Sequence, residues 1–266
     1  MPISIDGINR REMNKPASVA HYAWRNALSA AELAALTSTA QRAQGRQILD
    51  IGVGGGRTVQ ALREISVNYL GIDNSEAMVS ACQRRFPDTR FEVMDAHAMT
   101  AVPDASVHLV LFSCNGMGMV AHDDRLLILR EVFRVLEPGG VFLFSTHNQN
   151  SPDHQAGFQW PEFKMSRNPA RWLVRITRFS RQLLLRSVRR QQFKSLEIRT
   201  PDYSVINDVC HDYGVMLYYI GLRQQRIQLQ ALGFASNALA FDLLGHAVED
   251  DTCDSSIMLV ARKPGG

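Results

Sequence analysis

The chain has 266 residues, a net charge of +3 and 45 % hydrophobic residues, a globular composition rather than a disordered or collagen-like one. It is long enough for one α/β domain with an insertion, or for two small domains. No apolar run reaches the roughly 18–20 residues that span a bilayer, the N-terminus lacks the apolar core of a secretory signal, and Cys82, Cys114, Cys210 and Cys253 show no C-x-x-C spacing; a cytoplasmic protein with reduced thiols, no bound metal and no disulfide framework is expected.

Residues 1–17 are polar, contain Pro2 and Pro16, and read as partly disordered. Residues 18–43 read as helical, with Ser18 as a cap, Val19, Tyr22 and Leu28 at helical spacing, and Ser29 capping a second helix through Ala40. A strand at 47–52 then runs into Gly52, Gly54, Gly55 and Gly56 and a helix at 57–65. Next come strand 67–73 ending in Asp73, helix 75–85, strand 89–95 ending in Asp95, strand 106–113 and helix 123–136. Leu136-Glu137-Pro138-Gly139-Gly140 stops that helix and turns into strand 140–146. Strands alternating with helices imply a parallel sheet covered on both faces.

After Thr146 the alternation stops. Residues 148–168 read as loop and 169–193 as a long basic helix; 196–220 is β-branched and aromatic and predicts an antiparallel hairpin turning near 211–214. A helix at 221–232 and strands at 238–244 and 256–262 close the chain.

Glycines at a strand-to-helix turn remove Cβ atoms where backbone must approach a ligand closely. An acid about 20 residues further on, here Asp73, lies where it can take ribose hydroxyls. A nicotinamide-dinucleotide fold would require a third glycine where Arg57 stands, and that bulky cation argues against it.

The ordered series Asp50, the glycine turn, Asp73, Asp95 and the Leu-Glu-Pro-Gly-Gly turn resembles the class I S-adenosylmethionine-dependent methyltransferases, tightly over 45–146 and loosely over the last 45 residues. The resemblance implies a Rossmann-like, seven-stranded α/β sandwich using S-adenosylmethionine and no metal. It also implies a division into an N-terminal helical lid (1–44), a cofactor-binding core (45–146), an inserted cap over the substrate site (147–220) and a completion of the sheet (221–266). Carried over residue by residue, Gly52, Gly54 and Gly56 pass under the methionine part, and Asp73 accepts from both ribose hydroxyls. Asn74 and Met78 flank the adenine, Asp95 with Ala96 receives its amino group, Ser113 lies beside the cofactor, and Asp50 orders the loop or meets the methionine amino group. Arg57 is given no role.

Methyl transfer is an in-line displacement in which a protein positions the nucleophile and supplies a base where one is needed. His147 and Asn148 follow strand five and are expected to face the cleft, with His147 the first candidate base because an unperturbed histidine titrates near neutrality. His211 on the hairpin turn is a second candidate, and Asn115, between Cys114 and Gly116, a third polar group at the reacting end. Tyr22, with His21 and Trp24, belongs to the lid, and Tyr213 is a candidate for the substrate pocket. Asn115 lacks the Pro-Pro-aromatic sequel of amino-methylating nucleic-acid enzymes, so the expected acceptor is an oxygen or nitrogen of a small molecule. Residues 151–200 carry eleven Lys/Arg against three acids. The basic helix 169–193 is therefore a solvated face, a surface for an acidic substrate or nucleic acid, or a membrane-surface patch. Docking of RNA or protein on it is the alternative function; few aromatics for base stacking make nucleic acid the weaker partner. The insertion, serving the acceptor alone, is expected to be removable without loss of cofactor affinity.

Overall fold

The computed structural model describes residues 4–23, 27–163, 165 and 168–265; Trp24 lies outside them. In chain order the elements are α1 (Ile5–Met13), α2 (Pro16–Ala23), α3 (Ala30–Ala43), β1 (Ile48–Ile51), α4 (Val59–Ile65), β2 (Tyr69–Asp73), α5 (Glu76–Arg85), β3 (Arg90–Val93), β4 (Val107–Phe112), α6 (His122–Val135) and β5 (Leu136–His147). There follow α7 (Pro152–Gln155), α8 (Pro169–Phe193), β6 (Ile198–Arg199), β7 (Tyr203–Asp208), β8 (Val215–Ile220), α9 (Leu222–Ala231), β9 (Leu239–Phe241) and β10 (Ser256–Arg262).

Seven strands run β3-β2-β1-β4-β5-β10-β9, parallel except where β10 pairs antiparallel with β5 and with β9. The sheet does not stop at the expected seven. At the end of β5, His147 pairs with Tyr219, and through β8 the sheet continues into β7 and β6, giving ten strands. The chain moves outward from β1 to β3 and then returns to β4, so strand order reverses between β1 and β4, the place where open α/β sheets bind ligands.

Alternation along the strands divides the core. Val110, Phe142, Phe144, Ile257 and Leu259 face α6 and α9 through Ile128, Leu129, Leu222 and Leu229. Their neighbours Leu109, Leu111, Val141, Leu143 and Met258 face α3, α4 and α5 through Ala35, Leu36, Leu62 and Cys82. The Leu-Glu-Pro-Gly-Gly segment ends α6 as expected, but its residues then join β5 through a register shift against β4, with Gly139 at φ 80°.

The N-terminus departs from expectation. Residues 5–13 are helix, begun by Ser4, whose Oγ accepts from the Gly7 N–H at 3.1 Å. Ile8 is buried with Val205, Met216, Tyr218 and Ile220 of the hairpin. The buried Asn9 donates to the carbonyls of Met119 (2.6 Å) and Met216 (2.7 Å) and accepts from the Met216 N–H (2.8 Å). Ser18 lies inside α2 and donates to the Glu12 carbonyl rather than capping. Ser29 does cap α3, in a reciprocal pair with Glu32.

Candidate active site

A cavity of about 200 Å³ opens at the carboxyl ends of β1, β2 and β4. Gly52, Gly54, Asp73, Asn74, Met78, Asp95, Ala96 and Ser113, all expected at a cofactor site, line it. Asp73 accepts from the Gly54 N–H and the Ser75 N–H, each at 2.9 Å, so it braces the glycine turn and opens α5 while its carboxylate borders the cavity. Burial raises its pKa, and the two backbone bonds pull it back. Gly52 and Gly54 have φ of 64° and 53°, which side chains avoid, and a Cβ on Gly52 would strike the Phe112 ring at 2.8 Å. Asp95 accepts from the backbone N–H of His97 at 3.0 Å and from its ring; partial burial opposes its ionisation, and these partners hold its pKa below the usual value.

Two expected contacts do not reach this cavity. Asp50 is 1 % exposed beneath the loop, accepting from Thr58 Oγ1 (2.5 Å) and Tyr69 Oη (2.8 Å), and burial lifts its pKa to about 6. It shapes the glycine turn from below, where a polar strand-end group finds two hydroxyl donors. Gly56, at φ 82°, faces Phe86 and Cys82; it serves the turn's path, since a Cβ there would meet the Phe86 ring at 2.7 Å.

Arg57 is not the idle cation of the sequence reading. Its guanidinium pairs with Glu32 (2.6 Å) and donates to the Ala27 carbonyl (3.1 Å) and Ser113 Oγ (3.0 Å), tying α3 and the glycine turn to the end of β4. Helix α1 contributes Asp6, Asn9, Arg10 and Met13 to the cavity wall, and Arg10 donates to the Asn74 carbonyl at 3.2 Å across its mouth. The polarity of residues 1–17 concealed this wall; Ser4 followed by Ile5 and Ile8 was the available signal.

A second cavity of about 380 Å³ adjoins the first, and Tyr22, Cys114 and Met119 line both. Asn115, His147 and His211 come together in its wall with Asp153, Asp208 and Tyr219. His147 Nδ1 lies 3.4 Å from Asn115 Nδ2, and burial pushes its pKa down to about 4, away from the neutral range expected of it. Asn115 receives structural help from Ser145 Oγ, which accepts its backbone N–H at 2.7 Å, while its Oδ1 is buried with no hydrogen-bond partner among the described residues. His211 Nε2 stands 3.4 Å from Tyr22 Oη and Nδ1 3.5 Å from Ser18 Oγ; burial lowers its pKa as well.

The turn carrying His211 is tense: His211, Asp212 and Tyr213 have φ of 52°, 55° and 59° in succession. It is held by α8, whose Arg186 and Gln182 each donate to Asp212 at 2.7 Å and whose Arg189 donates to the His211 carbonyl at 2.6 Å.

Asn148 and Tyr213 take no part in either cavity. Asn148 follows His147 on the same extended stretch, so its side chain turns to the opposite face, where it donates to the Thr252 carbonyl at 2.7 Å in full burial. Tyr213 is stacked on Phe158 and accepts the Gln159 N–H at 2.8 Å, a packing role typical of a buried tyrosine.

Residues 48–140 match the model of a methyltransferase domain. A "Probable S-adenosylmethionine-dependent methyltransferase" of Mycolicibacterium smegmatis is 35 % identical over 112 residues, 41 % of each chain. A trans-aconitate 2-methyltransferase of Delftia acidovorans is 30 % identical over 47 % of this chain and 46 % of its own. A ubiquinone biosynthesis O-methyltransferase of Paracidovorax citrulli is 31 % identical over 41 % and 46 %. The matched stretch therefore spans less than half the length of these relatives. Among solved structures, 1,6-didemethyltoxoflavin-N1-methyltransferase of Burkholderia thailandensis, with bound 1,6-didemethyltoxoflavin and S-adenosylhomocysteine, superposes at a TM-score of 0.58 and 13 % identity, covering 99 % of this chain and 92 % of that one. An S-adenosylmethionine-dependent methyltransferase of Clostridium acetobutylicum gives 0.60 at 13 % identity, over 89 % and 92 %. At such identity the likeness is one of fold.

Proposed function

We propose that this chain, which belongs to the class I S-adenosylmethionine-dependent methyltransferases, binds S-adenosylmethionine in the smaller cavity and methylates an oxygen or nitrogen of a small molecule held in the larger one. The observation that carries this reading is the pair of adjoining cavities at the strand-order reversal, one bordered by Asp73 and two left-handed glycines, the other by two histidines. When bound, the sulfonium supplies an activated methyl group; the chain supplies binding, alignment and proton handling. Asp73 suits a vicinal diol, because each of its oxygens already accepts one N–H and retains a further lone pair. Asn74 and Met78 would flank the adenine, with Asp95 and Ala96 at its edge.

The lining of the larger cavity favours a class of acceptor. Among the described residues it contains no lysine or arginine, burial biases both histidines towards the uncharged form, and Asp153 and Asp208 contribute carboxylates. A polyanionic acceptor finds no counter-charge there, whereas a neutral or cationic hydroxyl or amino compound does not need one. Tyr22, at the junction of the two cavities and backed by His211, is placed to relay the acceptor's proton to the imidazole. His147, whose pKa burial pushes down to about 4, is the poorer base and serves to orient Asn115.

Calorimetry with S-adenosylhomocysteine tests the first half: the wild type should bind, and Asp73→Ala should weaken binding by at least about tenfold through loss of a charge-assisted contact. No binding by the wild type, or equal binding by the variant, would sink the reading. Cofactor-loaded protein screened against metabolite fractions, read by the mass gain of one methyl group, identifies the acceptor. On that acceptor, His211→Ala should lower kcat about 10²-fold or more while leaving S-adenosylhomocysteine affinity intact. A normal rate would remove His211 from the proton path.

A further inference from the structure

Helix α8 is mounted the opposite way round from an ordinary surface helix. Such helices turn an apolar stripe to the core and cations to water. In α8 the protein-facing side is largely polar and cationic: Gln182 and Arg186 on Asp212, Arg189 on Glu12 and the His211 carbonyl, Arg190 on Glu197. Among the described residues of α8 only Phe193, at its end, is buried. At about 100° per residue, Leu173, Val174, Leu184, Leu185 and Val188 fall within one arc of roughly 120° on the far side, and they are 39–66 % exposed. On the same count Arg181 falls inside that arc, while Arg178 and Arg171 lie about 20° and about 40° beyond its edge; all three are exposed and make no ion pair among the described residues. The helix has seven arginines and no acid. Trp160 and Met165, on the segment leading to it, are also exposed, and the groove between that segment and α8 shares Gln159 and Val209 with the larger cavity.

We infer that α8 docks this protein on an anionic phospholipid surface, its leucine and valine stripe sunk at the headgroup boundary and its free arginines against the phosphates. No helix among the described residues is long and apolar enough to cross a membrane; an amphipathic helix with an arginine-bordered apolar face instead lies in the plane of the interface. Charge decides against a second copy of the chain, which would bring an equal set of arginines onto the first. Nucleic acid would meet an aliphatic stripe with no stacking ring on it among the described residues, since the exposed Trp172 lies outside that arc. Anionic headgroups satisfy both halves of the face at once, taking the aliphatic stripe at the acyl boundary and the arginines at the phosphates.

Co-sedimentation with phosphatidylcholine vesicles containing about one-third phosphatidylglycerol tests this directly. The wild type should bind them at least about tenfold more tightly than pure phosphatidylcholine, and less tightly as salt is raised. Leu184→Glu with Val188→Glu, and separately Arg171→Gln with Arg178→Gln and Arg181→Gln, should each weaken binding by about tenfold or more. Far-ultraviolet dichroism and melting temperature should stay at wild-type values, because these side chains face outward. Absence of vesicle binding by the wild type, or undiminished binding by both variants, overturns the inference. So does a dimer, seen by light scattering, that the glutamate pair dissociates while vesicles are ignored, and so does RNA binding without vesicle binding.

Discussion

Asp50 and His147 are buried ionisable groups of opposite kind, and their effects on stability run in opposite directions over the same pH range. Asp50 titrates near 6 in the fold against an ordinary 3.8, so between those values the folded state holds a proton that the unfolded chain has released. Its contribution therefore falls as pH rises, by about 3 kcal/mol over the whole shift. His147 titrates near 4 against 6.5, so there the unfolded chain binds the extra proton and stability rises with pH by a similar amount. Together they largely cancel. Asp50→Asn should leave a stability that climbs with pH relative to wild type, and His147→Gln one that declines, in urea melts compared at about pH 4.5 and pH 7. A wild-type slope in the asparagine variant would mean that Asp50 does not bear its charge in the buried position described.

Helix α1 is the element that walls the smaller cavity, and Asn9 anchors it. Asn9 satisfies three main-chain groups of the hairpin and the β4 loop, two carbonyls and one N–H. Asn9→Ala orphans all three, at about 1–3 kcal/mol for each that water does not reach. Because Asp6, Arg10 and Met13 stand in the wall of the smaller cavity, loosening α1 should also weaken S-adenosylhomocysteine binding by about tenfold or more. Faster hydrogen exchange over 5–13 and 215–220, together with that weaker binding, is the expected outcome; unchanged exchange in both segments would show that α1 is held by its apolar contacts alone. Helix α8, by contrast, binds the hairpin through arginines, so it positions the strained 211–213 turn without contributing much to the core.

At the scale of the whole molecule, what was legible in the sequence was whatever repeats a local rule. The alternation of strand and helix, the glycine turn, the acid ending β2, the bounds of α8 and the hairpin turn are all set by near neighbours in the chain, while Asp95, expected to end the third strand, lies just past β3. What was hidden depends on partners far away in sequence. Nothing local marks Arg57 as the tie between Glu32 and Ser113, Asn9 as the clamp on Met216, or Asn148 as turned from the cleft by strand alternation. The same distant contacts alter what the insertion does. Residues 147–220 were expected to serve the acceptor alone, but β8 receives Ile8 and Asn9 of the helix that closes the smaller cavity. Replacing 196–220 by a short linker should therefore abolish methyl transfer and also weaken S-adenosylhomocysteine binding by about tenfold or more, as α1 loses its seat. The sheet β3-β2-β1-β4-β5-β10-β9 keeps its own two core layers and should still melt cooperatively. Calorimetry on the shortened chain decides the matter: cofactor affinity within a few-fold of wild type would restore the insertion to an acceptor-only role.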